Sequence, residues 1–347
     1  MKAAMIVAPH EVEIHEMDRP QPAPGEALVE VEAVGVCGSD LHAYQGTQPF
    51  FQYPQIGGHE VVGRVVALEE GEPVEIPRRP QPRPPGVGQR VVLDPSMPCG
   101  ECFPCRTGRY NCCEKMRVLG VHAPGAFAEY FTAPVGCLHG ISEDVSADAA
   151  VMVEPLSIAV QAANRGRVTV EDALLVIGVG TIGLSVLQVC LARGARCAVS
   201  DPCTGRLRMA EQLGAEAAVN PEDGDLREQL AEHSGESGPS VVVEAVGKPQ
   251  TVRQALDLVA ASGRVVMVGL CAEAICVPGA LMVKKELDFL GSRLHGGTLP
   301  QAITLVEGGD VQPEQLVTHH MPLVDVERAF EAMVEQPDTT LKVILTP

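Results

Sequence analysis

The chain has 347 residues, a length that is typical of two domains. Its composition, with 46% hydrophobic and 20% charged residues, is ordinary for a globular protein with a sizeable core. Asp and Glu number 45 against 26 Lys and Arg, and the net charge of -19 disfavours nucleic acids and anionic membranes as partners.

The beginning of the chain lacks the features of an export signal. Residues 1–7 contain no long apolar region and are followed by no cleavage site, and no other segment is typical of a membrane span. Twelve cysteines without a secretion signal indicate a reducing compartment, where thiols bind metals or simply pack. We therefore expect a cytoplasmic protein.

The first 140 residues have the pattern of short strands separated by turns. Residues 27–34 alternate apolar and polar side chains, and residues 61–68 and 90–93 are similar, which predicts half-buried strands. Residues 73–85 carry so many prolines that they predict a surface loop, an elaborated turn rather than a domain linker.

A first set of metal-ligating residue types lies in this region. Cys37 supplies a thiolate, His59 an imidazole and Glu60 a carboxylate, and Glu154 is a second acidic candidate. A catalytic zinc needs about three protein ligands and one open position. Each residue taken alone has an ordinary structural explanation, but their combination predicts a catalytic zinc site.

Four cysteines follow at the spacing C-x2-C-x2-C-x7-C. This spacing is too tight for a disulfide framework and suits one tetrahedral zinc ion that closes a structural site. Iron–sulfur spacings differ from it, and Cys112, beside the last cysteine, is an alternative fourth ligand. The predicted ligands are Cys99, Cys102, Cys105 and Cys113.

Beyond residue 142 the pattern changes to alternating helices and strands. Helical runs at 146–154 and 156–164 precede strands at 173–177, 196–200, 241–244, 264–268 and 287–290. Helices are predicted between them at 181–192, 205–213 and 251–260, and the chain ends with two helical runs and a strand at 342–345. Alternation with short apolar strands predicts a parallel sheet covered by helices on both faces.

A dinucleotide-binding fingerprint joins the first of these strands to its helix. Gly178 permits the turn, Gly180 lets the backbone approach a pyrophosphate, and Gly183 lets helix and strand pack closely. Asp201 ends the next strand. A carboxylate at this position accepts hydrogen bonds from the ribose hydroxyls and repels a 2′-phosphate, so we predict NAD rather than NADP. Arg206 either packs near the adenine or tolerates that phosphate. We also predict cofactor contacts at Ile182, Val268, Leu270 and Ser292.

These motifs occur in an order that resembles the zinc-containing medium-chain alcohol dehydrogenases over essentially the whole chain. The matching pieces are Cys37-Gly-Ser39-Asp40-Leu-His42, Gly-His59-Glu60, the four-cysteine segment and the glycine fingerprint. Glu154-Pro-Leu resembles the branch that acts on polyols, sugar acids and threonine, in which a glutamate replaces a cysteine as third zinc ligand. The chain departs from the common pattern at 73–85 and at Gly88-Gln-Arg90.

The resemblance implies an α/β architecture of two domains. A mainly-β, GroES-like catalytic domain would comprise residues 1–147 and 292–347, with the structural zinc lobe at 95–115. A Rossmann NAD-binding domain, a doubly wound parallel sheet, would occupy residues 148–291. Two zinc ions per chain, NAD and a homodimeric or homotetrameric assembly are implied with it.

The resemblance also implies roles in alcohol oxidation. Zinc held by Cys37, His59 and either Glu60 or Glu154 would acidify a substrate hydroxyl so that hydride passes to the nicotinamide. Ser39 and His42 would relay the proton to solvent, a task for which histidine is suited near neutral pH. Asp40 would accept the second N–H of His59 and so fix its tautomer.

The substrate is predicted less sharply. Residues 44–53 resemble bacterial enzymes that oxidise L-gulonate or L-galactonate at C5, with sorbitol-like polyols and L-threonine as alternatives. Arg117, Arg293 and His295 are available to meet a carboxylate. A different class, a nucleotide-sensing binding protein without catalysis, would be expected to have lost ligands such as Cys37 and His59, which are present.

Overall fold

The computed structural model describes residues 1–71 and 83–347. Residues 72–82, which carry most of the predicted proline-rich loop, lie outside the described residues. Across the part of the chain that is described, no helix is both long and apolar enough to cross a membrane.

The chain divides into two compact units. The first comprises Met1–Glu154 and Gly296–Pro347, and the second comprises Pro155–His295. The limits therefore fall after Glu154 and His295, whereas the sequence placed them after residues 147 and 291.

The first unit is built mainly of short strands. Buried and exposed side chains alternate along them as the sequence predicts. The strand at Glu26–Val36 buries Val29 and Val31 and exposes Glu30 and Glu32, as a half-buried strand must. The strands up to residue 140 are β1 Lys2–Ala8, β2 Glu11–Glu16, β3 Glu26–Val36, β4 Gln55–Ile56, β5 Glu60–Leu68, β6 Arg90–Leu93, β7 Ser96–Met97, β8 Arg117–Val118, β9 Tyr130–Pro134 and β10 Leu138–Gly140. The helices of this part are α1 Gly38–Tyr44, α2 Phe103–Arg106 and α3 Ala147–Val151.

The second unit begins within a long helix and alternates strands with helices. Its first strand, Ala173–Ile177, is almost wholly buried, as expected for a parallel strand covered on both faces. The strands are β11 Ala173–Ile177, β12 Arg196–Ser200, β13 Ala217–Val219, β14 Val241–Glu244, β15 Arg264–Met267 and β16 Asp288–Gly291. The helices are α4 Val153–Arg165, α5 Thr181–Ala192, α6 Thr204–Gln212, α7 Leu226–Gln229, α8 Ala231–Ser234, α9 Pro249–Leu258 and α10 Gly279–Lys285.

These six strands form one parallel sheet in the order β13-β12-β11-β14-β15-β16. The order reverses direction between β11 and β14, and in doubly wound sheets a dinucleotide binds at that switch point. The predicted α/β class with an inserted Rossmann sheet is confirmed.

After residue 295 the chain returns to the first unit. This segment adds α11 Leu299–Glu307, β17 Val317–Pro322, α12 Val326–Glu335 and β18 Lys342–Thr346. In the largest sheet of the first unit the described strands run β10-β6-β5-β3-β18-β17, with β9 also paired to β3. The return strand β18 therefore lies directly beside β3, which is the relationship that positions the site.

Candidate functional site

The register of two antiparallel strands brings the predicted zinc ligands together. Gly35, near the end of β3, pairs with Glu60, the first residue of β5. Cys37 follows the end of β3 and His59 precedes β5, so both residues lie at the same edge of the sheet. The ligand atoms of Cys37, His59 and Glu60 all lie within 4.8 Å of one another.

Gly35 is needed for this approach. A Cβ atom at residue 35 would lie 2.4 Å from Oε2 of Glu60 and 2.8 Å from Cγ1 of Val151, far closer than two such atoms can pack. The position therefore accepts only glycine without moving the Glu60 carboxylate.

The charges around His59 are those of a cation site. Burial lowers the pKa of His59, but the attractions of Asp40, Cys37 and Glu154 outweigh it and hold that pKa well above its ordinary value. Nδ1 of His59 is buried and has no hydrogen-bond partner among the described residues. A half-buried sulfur with a buried imidazole and a buried carboxylate, a set that attracts positive charge, fits a divalent zinc ion.

Asp40 differs from the role predicted for it. Its Oδ1 lies 3.7 Å from Nδ1 of His59, too far for a hydrogen bond, and it accepts instead from the backbone N–H of Gly58 at 3.1 Å. Oδ2 accepts from the N–H of Cys37 at 2.9 Å, so the carboxylate caps the first turn of α1. Asp40 thus ties the two ligand-bearing turns together and contributes its charge to His59.

A lysine that the sequence analysis did not identify compensates the negative charge of Glu60. Lys342, the first residue of β18, donates from Nζ to Oε2 of Glu60 at 2.5 Å and to the carbonyl of Val36 at 3.1 Å. Burial lowers the pKa of Lys342, but the Glu60 and Cys37 charges outweigh it, and the net shift is upward. A lysine within the otherwise apolar run of residues 341–345 was the available signal.

Glu154, the other acidic candidate, is buried in the first turn of α4. It acts electrostatically on His59, although it is not within the 4.8 Å group formed by Cys37, His59 and Glu60. The predicted relay residues lie on α1: Ser39 is half-buried and His42 is exposed at the last turn. Nδ1 of His42 is 3.0 Å from Oγ1 of Thr47, a contact the sequence did not predict.

The residues of the predicted substrate segment separate into two groups. Tyr44 is buried, stacks on Phe330 and donates to Glu327, so it belongs to the hydrophobic core of the first unit. Tyr53 donates to the carbonyl of Ala43. Phe50, in contrast, is 53% exposed. Among the residues proposed to meet a carboxylate, His295 is buried, while Arg117 and Arg293 are exposed.

The four predicted lobe cysteines converge, with their sulfur atoms all within 4.8 Å of one another. Cys113 lies 3.5 Å from Cys99 and 3.8 Å from Cys102, sulfur to sulfur. Backbone N–H groups lower the pKa of Cys102 to about 6, while burial raises the pKa of Cys105 to about 12. A central zinc ion would supply the positive charge that a buried thiolate needs, so the donor set fits a structural zinc.

The glycine fingerprint has the predicted strand–turn–helix geometry. Gly178 has φ of +86°, and a Cβ atom on Gly183 would lie 1.9 Å from the carbonyl oxygen of Gly178. Apart from its two chain neighbours, no atom of the described residues lies within 4 Å of the Cβ position of Gly180, the residue that precedes α5. The turn thus leaves its middle glycine open in front of a helix N-terminus, as a pyrophosphate requires.

Asp201 joins this turn to the next one. Its Oδ2 accepts from the N–H of Val179 and its Oδ1 from the N–H of Cys203, both at 2.8 Å. Each carboxylate oxygen can accept a further hydrogen bond, so ribose hydroxyls remain compatible with this arrangement. Arg206 lies 3.9 Å from Oδ2 of Asp201, and its Nε is buried with no partner among the described residues.

The other predicted cofactor contacts differ in exposure. Ile182, in the first turn of α5, and Val268, just after β15, are half-buried, and Leu270 is 79% exposed. The hydroxyl oxygen of Ser292 is buried and has no hydrogen-bond partner within the described ranges. These residues stay predicted contacts.

Comparison with known proteins defines the class. Residues 23–143 match the family described as Alcohol dehydrogenase GroES-like domain, and residues 181–308 match the family described as Zinc-binding dehydrogenase. The chain belongs to the zinc-containing medium-chain alcohol dehydrogenases, and it is therefore an oxidoreductase that acts on CH–OH groups. The predicted cofactors, zinc and NAD, are confirmed.

Individual relatives span nearly all of the chain. The Starvation-sensing protein RspB of Escherichia coli is 35% identical, covering 100% of this chain and 99% of its own. Erythritol/L-threitol dehydrogenase of Mycolicibacterium smegmatis is 34% identical, covering 100% and 98%. L-galactonate-5-dehydrogenase of Escherichia coli is 30% identical, covering 100% and 99%.

A solved structure shows the same architecture with a cofactor. The alcohol dehydrogenase rspB from E. coli CFT073, complexed with NADH, has a TM-score of 0.92 and 34% identity. The likeness covers 100% of this chain and 99% of that one. The relatives place the chain in the zinc-dependent class of polyol, sugar-acid and threonine dehydrogenases.

Proposed function

We propose that this enzyme oxidises a secondary alcohol of a sugar acid or polyol to a ketone with NAD as acceptor. The lead substrates are L-gulonate and L-galactonate at C5, and sorbitol-like polyols and L-threonine are the alternatives. The observation that carries the proposal is the convergence of Cys37, His59 and Glu60, together with the open glycine turn at Gly180. The names of the relatives that oxidise threitol and galactonate support the substrate class.

Cys37, His59 and one carboxylate would hold the catalytic zinc. Because Lys342 already compensates the charge of Glu60, we assign the resting third ligand to Glu154 and an exchangeable role to Glu60. When bound, the ion supplies Lewis acidity that lowers the pKa of the alcohol and favours hydride transfer to the nicotinamide.

The residues of α1 would move the proton released by the alcohol. Ser39, half-buried in the first turn, would take the proton from the substrate side, and His42, exposed in the last turn, would deliver it to solvent. The contact of His42 Nδ1 with Thr47 Oγ1 at 3.0 Å orients the imidazole ring. His42 therefore presents Nε2 away from the loop that contains Thr47.

The test is NADH formation with a panel of L-galactonate, L-gulonate, sorbitol, erythritol and L-threonine. Cys37→Ala should abolish turnover with every substrate while leaving the fold intact, since it removes the proposed sulfur ligand. Cys276→Ala, at an exposed cysteine far along the chain, is the matched control and should retain activity. Activity of Cys37→Ala near that of the wild type would refute the catalytic zinc site.

We further propose that two copies associate through the edge of the parallel sheet in the second unit. The strand β16 is an edge strand, and α10 buries none of its residues. Val283, on α10, is 83% exposed, and an open edge strand is a surface that can pair with a second chain. Light scattering should show a dimer or tetramer, and Val283→Glu should shift it toward monomer if this face is the interface.

A cytoplasmic location is also proposed. All twelve cysteines are free of disulfides, and the four lobe cysteines would need reduced sulfur to bind zinc. Fractionation of cells that express the tagged protein should recover it with cytoplasmic markers. Recovery with an exported fraction would overturn this assignment.

A further inference from the structure

Glu244, the last residue of β14, is a buried carboxylate that the chemistry above does not use. It is closed to solvent, with 0% of the residue exposed. β14 pairs with β11, the strand that leads into the glycine turn, and the carboxyl ends of parallel strands meet at one edge of a sheet. Glu244 therefore lies at the edge that carries the glycine turn. Burying a carboxylate is unfavourable unless donors surround it, so its donors indicate its role.

The donors of Glu244 all belong to the turn that joins β14 to α9. Its Oε1 accepts from the N–H of Val246 at 2.9 Å, from the N–H of Gly247 at 2.8 Å and from Oγ1 of Thr251 at 2.7 Å. The Thr251 hydroxyl also lies 2.9 Å from the carbonyl oxygen of Lys248. Oε2 of Glu244 has no hydrogen-bond partner among the described residues. One oxygen atom thus fastens the whole turn to the first turn of α9.

This turn lies directly against the glycine fingerprint. A Cβ atom on Gly178 would lie 2.4 Å from Cγ2 of Val246, so the two turns are in contact. The N–H of Ala245 donates to the carbonyl of Ile177 at 2.9 Å, which joins the ends of the two strands. Val246 remains 40% exposed at this edge. The position of Val246 beside the glycine turn therefore depends on the hydrogen bonds to Glu244.

The backbone of Glu244 holds a second turn, the one that follows β15. Its carbonyl oxygen accepts from the N–H of Val268 at 2.8 Å and from the N–H of Gly269 at 3.1 Å. Gly247 has φ of +80°, and a Cβ atom there would lie 2.7 Å from the carbonyl oxygen of Leu270. Val268 and Leu270 are predicted cofactor contacts. One residue thus connects the turns after β14 and β15 at the edge of the sheet where its strand order reverses.

We propose that Glu244 and Thr251 form a clamp that holds these two turns in the arrangement that admits NAD. Both are positioning residues, which act through Val246, Gly247 and the turn after β15 and do not touch the cofactor. The inference rests on the proposed function, since it concerns the cofactor of that reaction, and it adds residues that set the affinity for it. Binding to turns that are already ordered avoids the cost of ordering them, so a loosened clamp weakens binding.

The first test removes the hydroxyl of the clamp. Thr251→Val has nearly the same volume but no donor, and it should raise the Kd for NADH about fivefold, the effect of one lost hydrogen bond. Thr251→Ser restores the hydroxyl and should bind NADH like the wild type. Thr304→Val is the matched control and should leave the Kd unchanged, because the Thr304 hydroxyl donates to the carbonyl of Pro300 within its own helix, at 3.0 Å. Fluorescence titration measures the wild type and the three variants.

The second test changes the acceptor. Glu244→Leu leaves three donors without their oxygen and should raise the Kd for NADH about tenfold or more. Glu244→Gln keeps one side-chain oxygen, so it should bind NADH more tightly than Glu244→Leu does. In steady-state kinetics of both variants the loss should lie in KM for NAD rather than in kcat, since the residue does not touch the reacting atoms. Thermal melts give the fraction of each variant that is folded at the assay temperature.

The NADH titrations decide the clamp separately from the proposed function. A Kd of Thr251→Val equal to that of the wild type would overturn the clamp, even if Glu244→Leu fails to fold. Lower thermal stability with an unchanged Kd in the folded fraction would overturn it as well, because that result shows a purely structural role. A wild type that binds NADH but oxidises no alcohol of the panel would refute the proposed function, and the comparison of Kd values would still stand.

Discussion

Lys342 and Glu60 form a buried ion pair that links the last strand of the chain to the beginning of β5. Nζ and Oε2 are 2.5 Å apart, and the two side chains are only 2% and 1% exposed. The pair exists because β18 is registered on β3, with Val343 opposite Val36, and β3 is registered on β5. Residues 282 positions apart thereby meet beside the proposed zinc ligands.

Breaking this pair should be costly for stability. Lys342→Met leaves the Glu60 carboxylate buried without its counter-ion, and we expect a loss of about 3–5 kcal/mol in the free energy of unfolding. Lys115→Met is the control, because its pair with Glu101 spans 2.6 Å but both side chains are about two-thirds exposed. That variant should lose far less stability in urea titrations of the zinc-loaded protein, because solvent screens an exposed pair. Similar losses in the two variants would contradict the buried pair.

Zinc content should distinguish the two acidic residues near His59. If Glu154 is the resting ligand, Glu154→Gln should bind one zinc ion less per chain than the wild type, because the catalytic site loses its carboxylate. Glu60→Gln should retain its zinc, since the Glu60 charge is already compensated by Lys342. Elemental analysis after gel filtration measures both variants, and the reverse pattern would assign the resting role to Glu60.

The cysteine lobe should hold its zinc independently of the catalytic site. Cys105→Ser removes a buried ligand and should release one zinc ion, with a clear drop in thermal stability, because a closed structural site contributes to folding. Cys112→Ser is the matched control, since Cys112 lies outside the converging group. Release of zinc from Cys112→Ser and not from Cys105→Ser would reverse the ligand assignment.

Two glycines of the fingerprint should fail in different ways. Gly183→Ala places a methyl group against the Gly178 carbonyl, where the Cβ position lies 1.9 Å away, so we expect a destabilised second unit. Gly180→Ala has open space and should fold normally, but its methyl group should obstruct the pyrophosphate and weaken NADH binding by about tenfold or more. Thermal melts and NADH fluorescence titrations together separate the two effects. Normal NADH affinity in Gly180→Ala would refute the predicted phosphate site.

Cofactor choice should depend on Asp201. Asp201→Ala removes the acceptor for the ribose hydroxyls and the charge that repels a 2′-phosphate, so KM for NAD should rise and the preference over NADP should shrink. Asp223→Ala, at an exposed position, should change neither value. Steady-state kinetics with both cofactors measure the ratio. A wild type that already prefers NADP would contradict the assignment.

Much of the architecture was readable from local patterns. The limits of β6, β11, α5, β12 and β14 coincide with those predicted, because strand alternation, apolar runs and the glycine turn each involve neighbouring residues. The cysteine lobe was predicted for the same reason, since four ligands within fifteen residues need no distant partner. The chemical nature of Cys37, His59 and Glu60 was equally visible, because residue type sets what a side chain can bind.

Contacts between segments that are distant in the chain could not be predicted from local patterns. Tyr44 begins the segment that resembles sugar-acid dehydrogenases, yet it stacks on Phe330 in the core, because α12 returns from the end of the chain to cover it. Asp40 caps α1 rather than bonding His59, since its distance is set by the Gly57–Gly58 turn. Lys342 gained its position beside Glu60 from strand register and from the packing of distant strands. Those depend on which surfaces of the folded chain are buried against each other, and no pattern of neighbouring residues encodes that.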